Sequence, residues 1–272
     1  MTILERRHGD TYQLTSDEVE RFVRDGYVHL KGVLSEDEVA EIEVTYDRFL
    51  RQEIRVDGKD FCDMAGDYGR EVDDFSIVNV MLPRKYHEPW KDNIYERRAA
   101  SIAARLCGPG MELDYDQLLA KRPFKEDAVF AWHQDMAYWI ETRDTRTATC
   151  WLAVDDSTVD NGCMRFVPGS HHEPIRPHRP LHEDRSISHT LCTDVDDSVD
   201  QIRDQPISRG DITVHNERVL HGSGGNSTEG WRRAYVVAFR TSKTVERERA
   251  LGFTHSHNDD PDILRTVGPT DS

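Results

Sequence analysis

No stretch of the 272 residues approaches the roughly 18 consecutive apolar residues that a helix needs to cross a bilayer, so no membrane span is expected. The opening MTILERRHGD carries charge without the apolar segment of about 7–15 residues found in secretory signals, and the expected location is the cytoplasm. Cysteine is sparse. Cys62, Cys107, Cys150, Cys163 and Cys192 are odd in number, far apart and free of any C-x-x-C pair, which excludes a disulfide framework and a thiolate zinc site. Positive charge is also in short supply: 35 Lys plus Arg face 51 Asp plus Glu, for a net charge of −16. Such a field repels polyphosphates at long range, so nucleic acid is not an expected partner. No basic cluster suited to the phosphates of a CoA thioester is visible, and a neutral or cationic small molecule fits the balance better. Internal repeats and low-complexity segments are missing as well.

What is present is 37% hydrophobic and 32% charged residues, enough for one core with a well-solvated surface. One domain over residues 1–272 is expected, as a monomer or homodimer, with a helical part at about 15–108 and a β-rich core at about 110–245. Thr15 or Ser16 caps a short amphipathic helix that Gly26 stops; YVHLKGVL alternates as a strand, and Ser35 caps a second helix to about Phe49. A third helix is expected from about Trp90 to Leu106, closed by Gly108 and Pro109. Beyond Pro109 short β-rich runs follow one another, including MELDYDQLLAKRP, DAVFAWHQD, TATCWLAVDD, CMRFVPGS, DITVHN and WRRAYVVAFR, a pattern that indicates an antiparallel barrel or jelly roll. Residues 174–206 read as a long acidic insertion without clear periodicity, either a substrate wall or lid or an inert excursion. The tail from Asn258 onward reads as poorly ordered.

Two motifs carry chemistry. In WHQD, His133 and Asp135 stand two apart in an extended segment and so share a face, where an imidazole and a carboxylate can reach one divalent ion. The second motif spans Gly210 to Arg240 and reads as a hairpin with a glycine-rich turn, placing His221 beside the small residues Gly222, Ser223 and Gly224, with Arg232 on the returning strand. An arginine there suits a carboxylate ligand, because its planar fork stays charged when buried. Alone, each motif reads better as a chance pair or a surface turn with solvated arginines.

Together, WHQDMAYW, TCWLAVDDSTVDNGCMRFVPGSHH and HGSGGNSTEGWRRA resemble, in order, the three sequence blocks of the phytanoyl-CoA dioxygenase-like (PhyH) branch of the iron(II)/2-oxoglutarate oxygenases. The resemblance runs from about Ser16 to Arg240. It implies a mainly β fold with flanking helices around a double-stranded β-helix core of the cupin-like, jelly-roll kind. It further implies Fe(II), 2-oxoglutarate and O2 as cofactor and cosubstrates, and hydroxylation of an unactivated C–H bond of a small metabolite or natural-product intermediate with release of succinate and CO2. His133, Asp135 and His221 match the iron ligands. Arg232, eleven residues after His221, matches the arginine that pairs with the cosubstrate's distal carboxylate, whereas Arg233 would face the other side of its strand. Trp151 matches a cosubstrate contact, Thr149 shares its face, and Gln117 and Ser223 are further candidate hydrogen-bonding partners. Relatives that halogenate carry a small residue in place of Asp135, so the intact carboxylate favours hydroxylation.

Met136, Tyr138, Trp139, Asn79 and Met81 are candidates to line the substrate pocket. His171 and His172 read as structural, Asp211 and His215 as surface or packing residues, and His178, His182 and His189 as a remote candidate for an accessory metal site. A cupin-type metal enzyme that does not use 2-oxoglutarate, or a silent binding protein on the same fold, stands as the alternative; neither gives Arg232 a purpose.

Overall fold

Two reciprocal caps organise the start of the chain. In the computed structural model, which describes residues 3–259 apart from His182 and Arg185, the Thr15 side chain accepts from the Glu18 amide while Glu18 returns to the Thr15 backbone, opening α1 (Ser16–Asp25). Ser35 and Glu38 repeat the device at α2 (Glu36–Leu50), each pair satisfying backbone donors that a helix start leaves unpaired. Between them Gly26 ends α1 at φ 80°, and a Cβ there would lie 2.5 Å from Nδ1 of His171. His171 itself bonds the Val23 carbonyl through Nε2 and stacks on His172, which gives both histidines the structural role expected of them. The third helix, α3 (Ile94–Cys107), starts at the Asn93 cap, later than expected, because Trp90 closes a separate 3-10 turn at Glu88–Trp90.

Besides two short two-stranded pairs, the other described strands form two antiparallel sheets face to face, the jelly-roll arrangement expected. Their strands are β1 (Tyr27–Leu30), β2 (Phe61–Asp63), β3 (Ile77–Met81), β4 (Met111–Lys121), β5 (Phe130–His133), β6 (Thr147–Ala153), β7 (Met164–Phe166), β8 (Arg203–Gln205), β9 (Ile212–His215), β10 (His221–Ser223) and β11 (Arg232–Thr241). The larger sheet runs β1-β9-β6-β11-β4-β3-β2 and the smaller β8-β7-β10-β5. Strand alternation divides the larger sheet between two cores. Cys150, Leu152, Ile212, Val214, Tyr235 and Val237 pack against Val39, Ile42, Tyr46, Tyr95 and Ile102 of the helices. Trp151, Ala153, Ala234 and Val236 point the other way, toward Met164 and Phe166 of the smaller sheet. Both faces being covered, β11 reads as the almost unbroken apolar run AYVVAF.

Three expectations require correction. The Gly210–Arg240 segment is not a hairpin: β10 pairs with β5 and β7 in one sheet, while β11 pairs with β4 and β6 in the other. Pairing with partners that lie far away in sequence separates the strands, and the glycine-rich turn crosses between the sheets. The insertion is more structured than its pattern indicated: Arg179–Pro180 pairs with Leu191–Cys192, and β8 adds an edge to the smaller sheet. A helix, α4 (Ser242–Ala250), follows β11 where none was expected.

The segment after α4 is clasped rather than loose up to Asp259. Asp60 accepts bonds from Ser256 Oγ at 2.8 Å and the His257 amide at 2.7 Å, and His255 Nε2 lies 2.8 Å from Asp114. Asn258 Oδ1 accepts from the Lys59 amide; the remainder of the expected loose tail, residues 260–272, lies outside the described residues. All five cysteines are free thiols, and among the described residues no helix is long and apolar enough to cross a membrane.

Burial disfavours a charged His255, but the facing Asp114 and Glu248 outweigh it and raise the imidazole's pKa. A raised folded-state pKa means that the clasp contributes fully below about pH 6.5 and fades as the pH rises through the folded value. His255→Gln is therefore expected to cost about 3 kcal/mol in denaturant titrations at pH 6, with a smaller deficit at pH 9.

Candidate metal centre and its two cavities

His133 ends β5 and His221 begins β10, and the two are direct register partners across the smaller sheet. Gln134 is extended, φ −120° and ψ 130°, which returns Asp135 to the face of His133 just as the chain turns into a short 3-10 segment, Asp135–Tyr138. Asp135 Oδ1 lies 3.5 Å from His133 Nε2 and 3.4 Å from His221 Nε2. One ligand atom from each residue falls within 4.8 Å of the others. His133 Nδ1 bonds the Ala131 carbonyl at 2.8 Å and His221 Nδ1 the Val219 carbonyl at 3.0 Å. These bonds place the ring proton on Nδ1 and leave the Nε2 lone pairs converging on one point, the arrangement metal-binding histidines need. Burial, reinforced by His133, holds His221 well below the usual imidazole pKa and so neutral. For Asp135 burial opposes the charge, but the facing imidazoles His221, His133 and His215 prevail and keep its pKa well below the carboxylate range.

His215, read from the sequence as a surface or packing residue, belongs to this centre. It is buried on β9 opposite Thr149 of β6, and its Nε2 stands 3.2 Å from Asp135 Oδ2, to which Thr149 also donates at 3.3 Å. The carboxylate is thus oriented from behind by two side chains. Alternation within ITVH was the available signal: Ile212 and Val214 enter the helix-side core, which sends Thr213 and His215 to the other face. Asp211 is a packing residue, bonded to His29 and the Gly32 amide. Glu217 was also missed; it is buried beside Arg240, and burial, opposed by Arg240, pushes its carboxyl up to about 8.

A narrow cavity of about 60 Å³ runs inward from the triad between the sheets, with Gln117, Thr149, Trp151, Ser223 and Arg232 in its walls. Arg232 is 2% exposed, its guanidinium 5.2 Å from the Trp151 ring centre, and its Nε and Nη1 have no hydrogen-bond partner among the described residues. Burial alone lowers its pKa to about 10, which leaves it charged at neutral pH. Arg233 is its opposite in every respect. It faces the helices and is neutralised by Asp155 and Asp47, each at 2.7 Å, and by Glu43.

A second, wider cavity of about 470 Å³ opens from the other side of His133 and Asp135 and shares Gln117 with the first. Of the residues expected to line a substrate pocket, Met81, Tyr138 and Trp139 stand in the wall of this cavity, whereas Met136 and Asn79 do not. Met136 is held into the turn behind Asp135 by its amide bond to the Glu217 carbonyl, and Asn79 is fully buried, accepting from Gln117 Nε2 at 2.7 Å and donating to Cys62 Sγ. The insertion supplies part of the wall, through Glu183, Asp184 and His189, and the clasped C-terminal segment supplies Phe253, His255 and His257. His189 stacks between Tyr138 and His257, at 5.3 and 3.7 Å. His178 is elsewhere, accepting from the Gln134 amide, and His182 lies outside the described residues, so the expected histidine cluster is not assembled among the described residues. The other ligand-type group, Asp114, Glu248 and His255, is already neutralised by Arg240 and Arg249.

The arrangement fits one metal ion with open positions toward both cavities, and a small anion whose far end meets Arg232. Comparison with known proteins agrees. The family model described as Phytanoyl-CoA dioxygenase (PhyH) matches residues 22–234. Peroxisomal phytanoyl-CoA dioxygenase of Mus musculus is 22% identical over 86% of this chain and 70% of its own length. EvdO2 from Micromonospora carbonacea var. aurantiaca superposes with TM-score 0.68 at 31% identity over 85% of this chain and 92% of its own; its complex with 2-oxoglutarate superposes equally well, at 28% identity over 93% of that chain. The epimerase SnoN, in complex with Fe3+, alpha ketoglutarate and nogalamycin RO, superposes with TM-score 0.64 at 28% identity over 83% of each chain. With the model matched across most of its length and a 31% identical relative covered almost entirely, the chain belongs to the phytanoyl-CoA dioxygenase (PhyH) family.

Proposed function

We propose that this protein is a non-haem iron(II), 2-oxoglutarate-dependent dioxygenase that hydroxylates an unactivated C–H bond of a small polar metabolite or natural-product intermediate. The observation that carries the reading is the unpaired, buried Arg232 at the blind end of a slot whose other end is the His133–Asp135–His221 triad. A guanidinium in that position is costly without an anion, and an anion bound there has its other end at the metal position.

In this reading His133, Asp135 and His221 hold the iron, which with 2-oxoglutarate and O2 supplies the oxidising chemistry, releasing succinate and CO2. The protein supplies geometry. Arg232 takes the distal carboxylate in paired hydrogen bonds, Trp151 flattens the slot and shields that pair from water, and Ser223 offers a hydroxyl beside it. His215 and Thr149 fix the Asp135 carboxylate so that one oxygen faces the ion. Gln117, pinned by Asn79, stands where cosubstrate and substrate cavities meet and orients whichever ligand edge reaches it. The larger cavity mixes aromatic rings with carboxylate, imidazole and amide groups, which suits a hydroxylated or amine-bearing scaffold better than a bare lipid chain.

Arg232→Ala is expected to weaken 2-oxoglutarate by about 2–5 kcal/mol, read as a raised KM in succinate formation, with iron affinity preserved. Arg233→Ala should leave that KM unchanged and instead lower the melting temperature, since it strands Asp155 and Glu43; the opposite pattern would reassign the anion site. His215→Ala is expected to reduce Fe(II) affinity by roughly 10–100-fold in a chelator competition assay, and unaltered affinity would remove it from the centre. With a substrate in hand, turnover under isotopically labelled O2 should give a product carrying one labelled oxygen; an unlabelled product would replace hydroxylation, by desaturation or ring closure if it is oxidised relative to the substrate and by epimerisation if it is an isomer of it.

A further inference from the structure

β5, which carries His133 and leads into Asp135, lies at the edge of the smaller sheet: β10 pairs with one side of it and no strand of that sheet pairs with the other. The base of the insertion occupies the open side. The Thr193 amide donates to the Trp132 carbonyl at 2.8 Å, and the Gln134 amide donates to Nε2 of His178 at 3.0 Å. An imidazole nitrogen thus stands where a further strand would offer a carbonyl. His178 is prepared for that role, because its Nδ1 lies 2.7 Å from the Arg176 carbonyl, which places the ring proton on Nδ1 and leaves the Nε2 lone pair free to accept. Burial lowers the pKa of His178 and so favours this neutral, accepting form. The side chain of Gln134 is gripped as well. It is 1% exposed, its Oε1 accepts from the Arg176 amide at 2.9 Å, and its Nε2 donates to the Arg218 carbonyl at 2.7 Å, in the segment that enters β10 at His221. Thr193 Oγ1 closes the base by donating to the Pro177 carbonyl at 2.8 Å, and Arg176 is anchored by Asp200 at 2.6 Å.

We infer that His178 and Gln134 are positioning residues for the metal, and that the base of the insertion serves to brace the iron ligands while its tip lines the larger cavity. This rests on the reading of His133, Asp135 and His221 as the iron site. The argument turns on the one residue between the first two ligands. His133 and Asp135 share a face only while Gln134 stays extended, at φ −120° and ψ 130°, and the chain abandons the strand immediately afterwards for the 3-10 segment Asp135–Tyr138. A strand end on an open edge is free to twist, and a twist at Gln134 turns the Asp135 carboxylate away from the two imidazoles. Water would satisfy the edge amide of Gln134 equally well but would not fix its direction. The bonds to His178, Arg176 and Arg218 do, and they tie the segment holding His133 and Asp135 to the approach of His221 through a single amide side chain. All three ligands are thereby referred to one frame from outside the sheet.

The test is Fe(II) affinity of the full-length protein, measured anaerobically by competition with a chromophoric chelator, for two replacements of His178 that separate ring packing from hydrogen bonding. His178→Phe keeps the ring and removes the acceptor; His178→Gln loses the ring and offers an amide oxygen in place of Nε2. His178→Phe is expected to weaken Fe(II) by about tenfold, and His178→Gln to remain within about threefold of the wild-type protein. Gln134→Met, which keeps the length of the side chain and removes both of its bonds, should also lose about tenfold and covers the case in which His178→Phe does not fold. Wild-type affinity in His178→Phe, or an equal loss in the Phe and Gln variants, would overturn the inference and leave His178 a packing residue of the sheet edge. Failure of the wild-type protein to bind Fe(II) would overturn it together with the reading of the triad.

Discussion

A charged guanidinium buried without a counter-ion is the constraint around which the interior of this protein is organised. Arg232 enters between the two sheets from β11, lies over Trp151, and has two nitrogens with nothing to bond. Its neighbour Arg233 shows what the fold does with an arginine it intends as structure: three acidic groups surround it on the helix side. Strand alternation alone separates the two fates, one residue apart. In the function proposed for this protein the anion that Arg232 meets is a ligand and not a side chain, and its other end lies where His133, Asp135 and His221 converge.

The same division into faces assembles the metal position. His133 and His221 come from adjacent strands of the smaller sheet, while the groups that steady Asp135, Thr149 and His215, come from adjacent strands of the larger one. The centre is therefore completed only when the sheets are packed face to face, through the hydrophobic contacts of Trp151, Val236 and Phe166 between them. Specificity is built separately. The insertion and the clasped C-terminal segment meet through the stack of Tyr138, His189 and His257, so the walls of the larger cavity are built from segments other than those that carry the triad.

Much of this was legible in the chain. The caps at Thr15 and Ser35, the terminating Gly26 and the alternating β runs located helices and strands because each rests on local chemistry. WHQD and the His221-to-Arg232 step located the triad and the arginine because, in order along the chain, they resemble the blocks of a known family; alone, each motif is common by chance. What escaped depends on long-range pairing. The apparent hairpin at Gly210–Arg240 divides between sheets, a choice made by strands distant in sequence. His215 looked ordinary because its partner, Asp135, is 80 residues away. Asn79 and Met136 were placed correctly in depth but not in direction, since an apolar neighbourhood says that a side chain is buried and not which cavity it reaches.

The central claim, that the slot between the triad and Arg232 holds 2-oxoglutarate with its keto-acid end on iron, is tested most directly by anaerobic titration of the iron(II)-loaded protein with 2-oxoglutarate. The account predicts a weak, saturable visible absorption band, the signature of a 2-oxo acid binding iron(II) through both its keto and carboxylate oxygens, present in the wild-type protein and absent from His221→Ala. Iron bound at full occupancy with no band at saturating 2-oxoglutarate would contradict it, and would leave a metal centre on the same fold with a different partner for Arg232.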